Sequence, residues 1–173
     1  MGPFLIGVGI FLAGFFMLRK TAEGSETETG TATAIPAGTP VTIDTLIAEA
    51  ARHYSVDAAL VKAIAMTESS LNPNAVNPSD PSYGLCQIMP ILAEDYGIVK
   101  DYHNPTEAEI AMIKDPETNL RICAWHMKHL MEKYTLEVSV EMYNVGESGW
   151  LQGRRNSAYV KKVLGYYTTY KGQ

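Results

Sequence analysis

The sequence predicts an all-α domain preceded by an amino-terminal transmembrane helix. From residue 41 onwards, apolar side chains recur at three- and four-residue steps, the period of helices packed on a core. No segment shows the two-residue alternation of a half-buried strand strongly enough to compete. Residues 4–18, by contrast, contain no polar side chain at all. With 173 residues, 46% of them hydrophobic, the chain has room for one globular domain and its extensions.

Residues 1–20 are predicted to be an uncleaved membrane anchor. The apolar stretch is about 18 residues, or roughly 27 Å as a helix, which is just long enough to cross a bilayer. A cleaved signal peptide normally carries positive charge before its apolar run, whereas Arg19 and Lys20 follow it here. A buried core helix is the alternative. The positive-inside rule would keep the carboxyl side of the anchor in the cytoplasm, but two charges are a weak signal and leave the topology open.

Residues 21–40 are predicted to be a flexible linker. They are rich in Thr, Gly, Ala and Ser, include Pro36 and Pro40, and show no hydrophobic periodicity. Such a tether would span about 25 Å on average, so the domain at residues 41–173 could sweep the surroundings of its anchor. A passive spacer without that role is the alternative.

Apolar stripes predict the first two helices of this domain. The first stripe consists of Ile43, Leu46, Ile47 and Ala50. A second helix is expected to begin near residues 55–57, and its stripe of Leu60, Val61 and Ile64 continues to Glu68. The carboxylate of Glu68 therefore falls on the apolar face of its helix.

Capping residues mark the later helices. Thr106 and Glu109 have the spacing of a capping box, and Asp115 followed by Pro116 has the pattern of a helix start. The helix that begins at Pro116 is predicted to be the central one, because its apolar stripe is the longest. That stripe consists of Leu120, Cys123, Ala124, Met127, Leu130, Met131 and Tyr134. Two more helices are expected, at about residues 138–143 and from residue 157.

A carboxylate on an apolar helix face needs an explanation. Lost hydration disfavours its charged form and raises its pKa, which gives a group that holds a proton near neutral pH and can donate it. Glu68 is therefore a candidate general acid. The alternative is a helix-terminal glutamate that bends out to water or pairs with a base.

Three short motifs extend this hypothesis. Glu68-Ser69, the Gly-Leu-Cys-Gln-Ile run at residues 84–88 and the Tyr-Asn-Val-Gly run at residues 143–146 follow one another along the chain. In order and spacing they resemble the three motifs of the lytic transglycosylases, whose superfamily also includes goose-type lysozymes. The resemblance covers roughly residues 41–170 and implies an all-α, lysozyme-like domain with a cleft between lobes. Cys86 stands where the family commonly has methionine and Met142 where it usually has alanine, but neither change removes a proton-handling group.

The resemblance implies a substrate and a reaction. The substrate would be the glycan strands of peptidoglycan, cleaved between N-acetylmuramic acid and N-acetylglucosamine for local opening of the cell wall. Glu68 would protonate the glycosidic oxygen and then remove the proton of the muramic acid C6 hydroxyl as a 1,6-anhydro ring closes. We expect a single-pass membrane protein whose domain faces the cell wall. The membrane would be that of a bacterial envelope or of a phage virion.

The same resemblance implies a set of substrate-binding residues beside Glu68. These residues could hydrogen-bond the N-acetyl and hydroxyl groups, orient the acid, let the backbone approach the sugar or line the groove. They are Ser69, Gly84, Gln87, Met89, Tyr143 and Asn144. Capping and ordinary core packing are the alternatives for these residues.

Charge and cysteine content argue against other classes of protein. The net charge of -5 and the lack of a basic run argue against nucleic acid as a partner. We expect no metal and no other cofactor, because the sequence has no metal-binding motif and only His126 and His129 are one turn apart. Cys86 and Cys123 are expected to be core thiols rather than a disulfide. The oligomeric state is not set by the sequence.

Two rival functions stay open. The nearest is a goose-type, lysozyme-like hydrolase that activates water with an added aspartate, for which Asp80 is the candidate. Glu147 is a second acidic residue near a motif, although both lie in polar, turn-rich stretches. The other rival is a non-catalytic wall-binding or assembly module. Only Glu68 is convincingly placed, which favours a substrate-assisted route in which the N-acetyl group of the sugar replaces a second carboxylate.

Overall fold

The computed structural model describes residues 41–172, which form eight helices and one small sheet. In chain order these are α1 Ile43–Tyr54, α2 Ala58–Ser69, β1 Val76–Asn77, β2 Ser82–Tyr83, α3 Pro90–Asp95, α4 Glu107–Lys114, α5 Pro116–Met131, α6 Leu136–Val145, α7 Glu147–Leu151 and α8 Ser157–Lys171. The predicted anchor (1–20) and linker (21–40) lie outside the described residues. Within 41–172, no helix has the length and apolar character that crossing a bilayer requires.

Helices α1 and α2 are capped at their ends, and α2 begins close to the predicted residues 55–57. Thr42 caps α1 through a reciprocal pair of bonds with Thr45, and Ser55 ends it in the left-handed conformation. Asp57 then caps α2 by accepting from the backbone N–H of Ala59 at 2.9 Å. Two helices thus follow one another with only three residues between them.

Helix α5 is the centre of the core, as predicted. Asp115 caps it, Pro116 occupies its first turn, and the helix packs against α1, α4 and α6. The predicted stripe is fully buried from Leu120 to Leu130. The prediction is wrong for Met131, which is 39% exposed, because the chain leaves the core at the end of the helix.

Helices α2 and α8 pack together in antiparallel fashion. At the start of α2, the carboxylate of Asp57 accepts a hydrogen bond from the Tyr167 hydroxyl near the end of α8 (2.9 Å). At the other end, Glu68 meets Tyr159 in the first turn of α8. The last turn of α2 therefore lies against the first turn of α8.

A two-stranded antiparallel sheet, β1 and β2, was not expected from the sequence. Val76 pairs with Tyr83 and Asn77 with Ser82, around the polar loop at residues 78–81. Strands of two residues are too short to show an alternating pattern. Helices α3 and α7 were not predicted either, because they are too short to show a periodic pattern. Helix α6 is longer than the predicted residues 138–143.

Candidate active site

Glu68 lies in the last turn of α2, where the buried face of that helix reaches the surface. The residues before it on this face, Leu60, Val61 and Ile64, are at most 1% exposed, whereas Glu68 itself is half-buried. Its Oε1 accepts a hydrogen bond of 2.6 Å from the hydroxyl of Tyr159, which is only 9% exposed. The carboxyl group is therefore held in one orientation by a short, sheltered contact.

Burial and hydrogen bonding act in opposite directions on this carboxyl. Burial raises the pKa of Glu68, and it outweighs the hydrogen bond from Tyr159 and the positive charge of Lys162, both of which lower the pKa. The pKa of Tyr159 is itself raised well above its usual value, by burial and by the nearby carboxylate. Tyr159 thus remains a donor at neutral pH, and Glu68 retains its proton to a higher pH than a free glutamate does.

Ser69 connects this helix end to the second motif. Its hydroxyl lies 2.8 Å from the carbonyl oxygen of Leu85 and 3.1 Å from that of Ala65, and it accepts from the N–H of Asn72. The single hydroxyl proton is therefore used within the protein. Ser69 holds the turn at residues 84–87 beside Glu68.

Asn119, on the buried face of α5, supports that turn from below. Its Oδ1 accepts from the backbone N–H of Cys86 at 2.8 Å, and its Nδ2 donates to the carbonyl oxygens of Tyr83 and Ile113 at 2.8 and 2.9 Å. Asn119 is 0% exposed, so each of these bonds replaces water that the site excludes. Asn119 was not among the predicted site residues, although a polar residue one turn before Cys123 on the apolar stripe is a usable signal.

Gly84 is required by this packing. Its φ is +75°, and a Cβ at this position would lie 2.6 Å from Nδ2 of Asn119. Gly84 is buried, and the space next to it is filled by the amide of Asn119. The group that closely approaches Gly84 is therefore the side chain of Asn119 and not a sugar.

Gln87 braces the same turn with its side-chain amide. Nε2 donates to the carbonyl oxygens of Gly84 (3.0 Å) and Ala75 (3.3 Å), while Oε1 accepts from the hydroxyl of Ser82 (3.0 Å). Both amide protons are thus used internally. The backbone of Gln87 has a φ of +49°, a left-handed conformation that these bonds stabilise.

Tyr143 brings the third motif to the second. From α6, its hydroxyl donates to the carbonyl oxygen of Cys86 at 2.9 Å, and its ring lies beside that of His126. We expected this phenol to orient Glu68 or the substrate, but the phenol that contacts Glu68 belongs to Tyr159. No role was predicted for Tyr159, which lies outside the three motifs.

Asn144 and Met89 are the most open of the predicted site residues. Asn144 is exposed, and its Oδ1 accepts from Nδ2 of Asn156 at 2.7 Å, which leaves its own amide protons available. Met89 is 38% exposed at the start of α3, directly after the second motif. Ser69, Gln87 and Tyr143 are each hydrogen-bonded to the backbone of residues 84–86. The three motifs therefore form one connected site.

The thiols of Cys86 and Cys123 are free and fully buried, in agreement with core packing. Cys86 lies in the motif turn, and burial together with the neighbouring Cys123 raises the pKa of its thiol well above the usual value. Because both thiols are fully buried, neither is accessible to an external reactant.

The two rival carboxylates lie in more open positions. Asp80 is exposed in the loop between β1 and β2. Glu147, in the first turn of α7, accepts from the Tyr134 hydroxyl at 2.9 Å and lies 3.8 Å from Nζ of Lys133. The carboxylate of Glu147 thus interacts with Tyr134 and Lys133. The hydroxyl that contacts the carboxylate of Glu68 belongs to Tyr159.

A half-buried glutamate whose pKa is raised by burial is the kind of general acid that enzymes use to cleave glycosidic bonds. Comparison with known families gives the class directly, because the model of the transglycosylase SLT domain matches residues 45–163. The chain belongs to this family.

Solved structures agree with this assignment. The 70 kDa soluble lytic transglycosylase of Escherichia coli is 27% identical, with a TM-score of 0.60 over 76% of this chain and 24% of that one. The lytic transglycosylase Slt of Pseudomonas aeruginosa, solved as an inactive glutamate-to-glutamine mutant, is 19% identical and shares the fold, with a TM-score of 0.59 over 73% of this chain and 23% of that one. The chain thus matches about a quarter of the length of these two proteins.

Proposed function

We propose that this domain is a lytic transglycosylase that cleaves peptidoglycan between N-acetylmuramic acid and N-acetylglucosamine and leaves a 1,6-anhydro end. The observation that carries the proposal is the half-buried carboxyl of Glu68 with its hydrogen bond from Tyr159. Membership of the SLT family supports the substrate class. The inactivity of the Pseudomonas mutant, in which glutamine replaces a glutamate, supports a glutamate as the essential group.

In the first step, Glu68 acts as general acid. Burial raises its pKa and so favours the protonated form, and Glu68 transfers this proton to the glycosidic oxygen while the bond to the anomeric carbon breaks. The leaving sugar departs with a free hydroxyl. The N-acetyl oxygen of the muramic acid stabilises the positive charge that develops at the anomeric carbon, which is the task of a second carboxylate in many glycosidases.

In the second step, Glu68 acts as base. Now ionised, it removes the proton of the C6 hydroxyl as that oxygen attacks the anomeric carbon and closes the anhydro ring. The proton balance is closed, because Glu68 ends the cycle protonated. Tyr159 favours the ionised form between the two steps, since its hydrogen bond stabilises the carboxylate.

The other motif residues divide between two roles in this proposal. Asn144 and Met89, which are exposed, contact the glycan. Ser69, Gln87 and Tyr143 hold the turn at residues 84–87 beside Glu68, and Gly84 makes room for Asn119 within it. This division rests on whether the hydrogen-bond donors of each side chain are already used within the protein, as in Ser69, Gln87 and Tyr143, or are free to meet a ligand, as in Asn144.

The decisive experiment is digestion of purified peptidoglycan followed by mass spectrometry of the fragments. Anhydro ends are expected, and reducing ends that contain one added water would instead support the lysozyme-like hydrolase. Glu68→Gln should abolish release while the variant still binds glycan, and Glu147→Gln is the matched control that should keep its activity. Undiminished cleavage by Glu68→Gln would refute the assignment, and a wild-type domain that binds but never cleaves would support the assembly module.

Asp80→Asn tests the hydrolase alternative separately. In the proposed reaction Asp80 has no part, so the variant should release the same anhydro fragments at nearly the wild-type rate. A loss of activity greater than about 100-fold, the scale expected for removal of a catalytic base, would make Asp80 the partner of Glu68.

We extend the proposal to location: residues 1–20 anchor the domain and residues 21–40 let it reach the wall close to that membrane. The apolar sequence of residues 4–18 supports the anchor. Protease treatment of intact cells, spheroplasts or virions reports on which side the domain lies. Protection of the domain from protease added outside a bacterial membrane would contradict a wall-facing location.

A further inference from the structure

Glu141, in α6, is a nearly buried carboxylate that the proposed reaction does not use. Its side chain is 13% exposed. Oε1 accepts a hydrogen bond from the backbone N–H of Asn156 at 2.8 Å, and Oε2 accepts one from Nε1 of Trp150 at 2.9 Å. Nε of Arg155, a half-exposed side chain, lies 3.8 Å from Oε2 and adds little. Since a carboxylate leaves water only where hydrogen bonds replace it, Glu141 ties α7 and the start of α8 to α6.

Asn156 transmits this restraint to Tyr159. It is the cap of α8, and its Oδ1 accepts from the backbone N–H of Tyr159 at 3.1 Å. Its Nδ2 donates to Oδ1 of Asn144 at 2.7 Å, so the amide presents its oxygen, and not its donors, to Tyr159. The bonds that Asn156 makes to Glu141, Asn144 and Tyr159 are together called the α8 capping network. This network links the position of Tyr159 to Glu141.

The position of Tyr159 matters because its hydroxyl makes the 2.6 Å bond to Glu68. Such a bond depends on distance and angle, so a small displacement of the first turn of α8 would weaken it. The bond from Tyr167 to Asp57 fixes the far end of α8. At the near end Lys162 also contacts α2, but through a long side chain that can follow such a displacement. The α8 capping network is therefore the firmer restraint on this hydroxyl.

We propose that Glu141 is a positioning residue for the general acid, because the α8 capping network holds the hydroxyl of Tyr159 on the carboxyl of Glu68. This inference rests on the proposed function, since it concerns the group that the reaction uses as acid and base. A carboxylate suits the position because it offers two acceptor oxygens to two donors. A glutamine of the same shape would turn an N–H towards one of them.

Glu141→Gln tests the proposal with the least change of shape. The variant should weaken the α8 capping network and release the hydroxyl of Tyr159, whose bond favours the ionised form of Glu68. The pKa of Glu68 should therefore rise, and the alkaline limb of the kcat/KM profile should move to higher pH. We expect kcat to fall by up to about 100-fold, the scale for a misplacement of about 1 Å. Asn156→Ala, which removes the cap itself, should have the same two effects.

Glu109→Gln is the matched control. Glu109 is also a buried carboxylate that accepts from backbone N–H groups, those of Lys100 and Thr106 at 3.0 and 2.8 Å, but it belongs to α4. Its substitution should lower the free energy of unfolding, measured in urea, without moving the alkaline limb. A limb that moves equally in Glu109→Gln and Glu141→Gln would show a general effect of lost stability and would overturn the proposal.

A double variant checks that Glu141 acts through Tyr159. Other titratable groups also face Glu68, namely Lys162 from α8, Tyr143 from α6 and Cys86 from the motif turn. In a Tyr159→Phe background the hydroxyl is gone, so Glu141→Gln should move the limb no further. A further shift would show that Glu141 acts by another route, and it overturns the proposal. An unmoved limb in the single Glu141→Gln variant overturns it too, as does a limb at lower pH, which would mean that water has reached Glu68.

A titration of the substrate-free protein separates this inference from the proposed function. NMR of the side-chain carboxyl carbons follows the protonation of Glu68, whose signal is the one missing in Glu68→Gln. The pKa of Glu68 should be higher in Glu141→Gln than in the wild type and unchanged in Glu109→Gln. If the wild type cleaves no peptidoglycan, the proposed function fails, yet this titration still decides the role of Glu141. Equal pKa values for Glu68 in the wild type and in Glu141→Gln refute the inference.

Discussion

Gly84→Ala tests the support of the motif turn most directly. A methyl group at this position would lie 2.6 Å from Nδ2 and 2.9 Å from Cγ of Asn119, so the asparagine must move. Asn119 is buried and makes three hydrogen bonds, each with a net value of about 1 kcal/mol. The positive φ of Gly84 adds about 1–2 kcal/mol of backbone strain for any residue with a Cβ. The expected loss of stability is about 3–5 kcal/mol.

Gly97→Ala is the matched control for this substitution. Gly97 also has a positive φ, of +91°, but a Cβ there would meet no atom within 4 Å. Only the backbone strain of about 1–2 kcal/mol should apply. Urea unfolding followed by circular dichroism measures both variants, and losses that agree within about 0.5 kcal/mol would refute the proposed clash with Asn119.

The same pair of variants links stability to activity. If Asn119 is displaced, the turn at residues 84–87 shifts relative to Glu68, and Gly84→Ala should lose activity even at temperatures where it is fully folded. Gly97→Ala should retain activity under the same conditions. Full activity in folded Gly84→Ala would mean that the turn tolerates the shift.

Three further predictions concern proton equilibria and packing. Tyr159→Phe removes a hydrogen bond that favours the carboxylate, so the pKa of Glu68 should rise and the alkaline limb of the kcat/KM profile should move to higher pH; a limb that stays in place would contradict the contact. Partial burial lowers the pKa of His126 from 6.5 to about 4. As the pH falls, the unfolded chain therefore takes up the proton first, and the free energy of unfolding should decrease between about pH 6.5 and pH 4. Urea titrations at each pH measure this decrease, and His126→Phe should reduce it. Ser139→Ala removes a fully buried hydroxyl that has no partner within residues 41–172 and should stabilise the domain by about 1–2 kcal/mol; a measured destabilisation would reveal a partner for that hydroxyl.

The helical framework is predictable because its signals are local. The caps at Thr106 and Asp115 and the proline at Pro116 specify helix starts within four residues, and the structure confirms them. The position of Glu68 on an apolar face follows from helical periodicity and is likewise visible in the sequence. The two-residue strands carry no such signal, because alternation needs a longer segment.

The supports of the site are harder to predict because they act over long sequence separations. Tyr159 is 91 residues from Glu68, and Asn119 is 33 residues from Cys86. Motif identity also does not reveal where a polar side chain points. Ser69 and Gln87 have the chemistry of sugar ligands, yet their protons are donated to backbone carbonyls that only the folded chain brings near.

The pairing of α2 with α8 means that the surroundings of Glu68 are completed by a residue that is synthesised 91 positions after it. A partial chain that ends before residue 157 lacks Tyr159, and its Glu68 would face water along an uncovered helix. In such a fragment the pKa of Glu68 would lie closer to that of a free glutamate, because the burial that raises it would be lost. The proposed general acid therefore obtains its hydrogen-bond partner only after the chain has been synthesised through Tyr159.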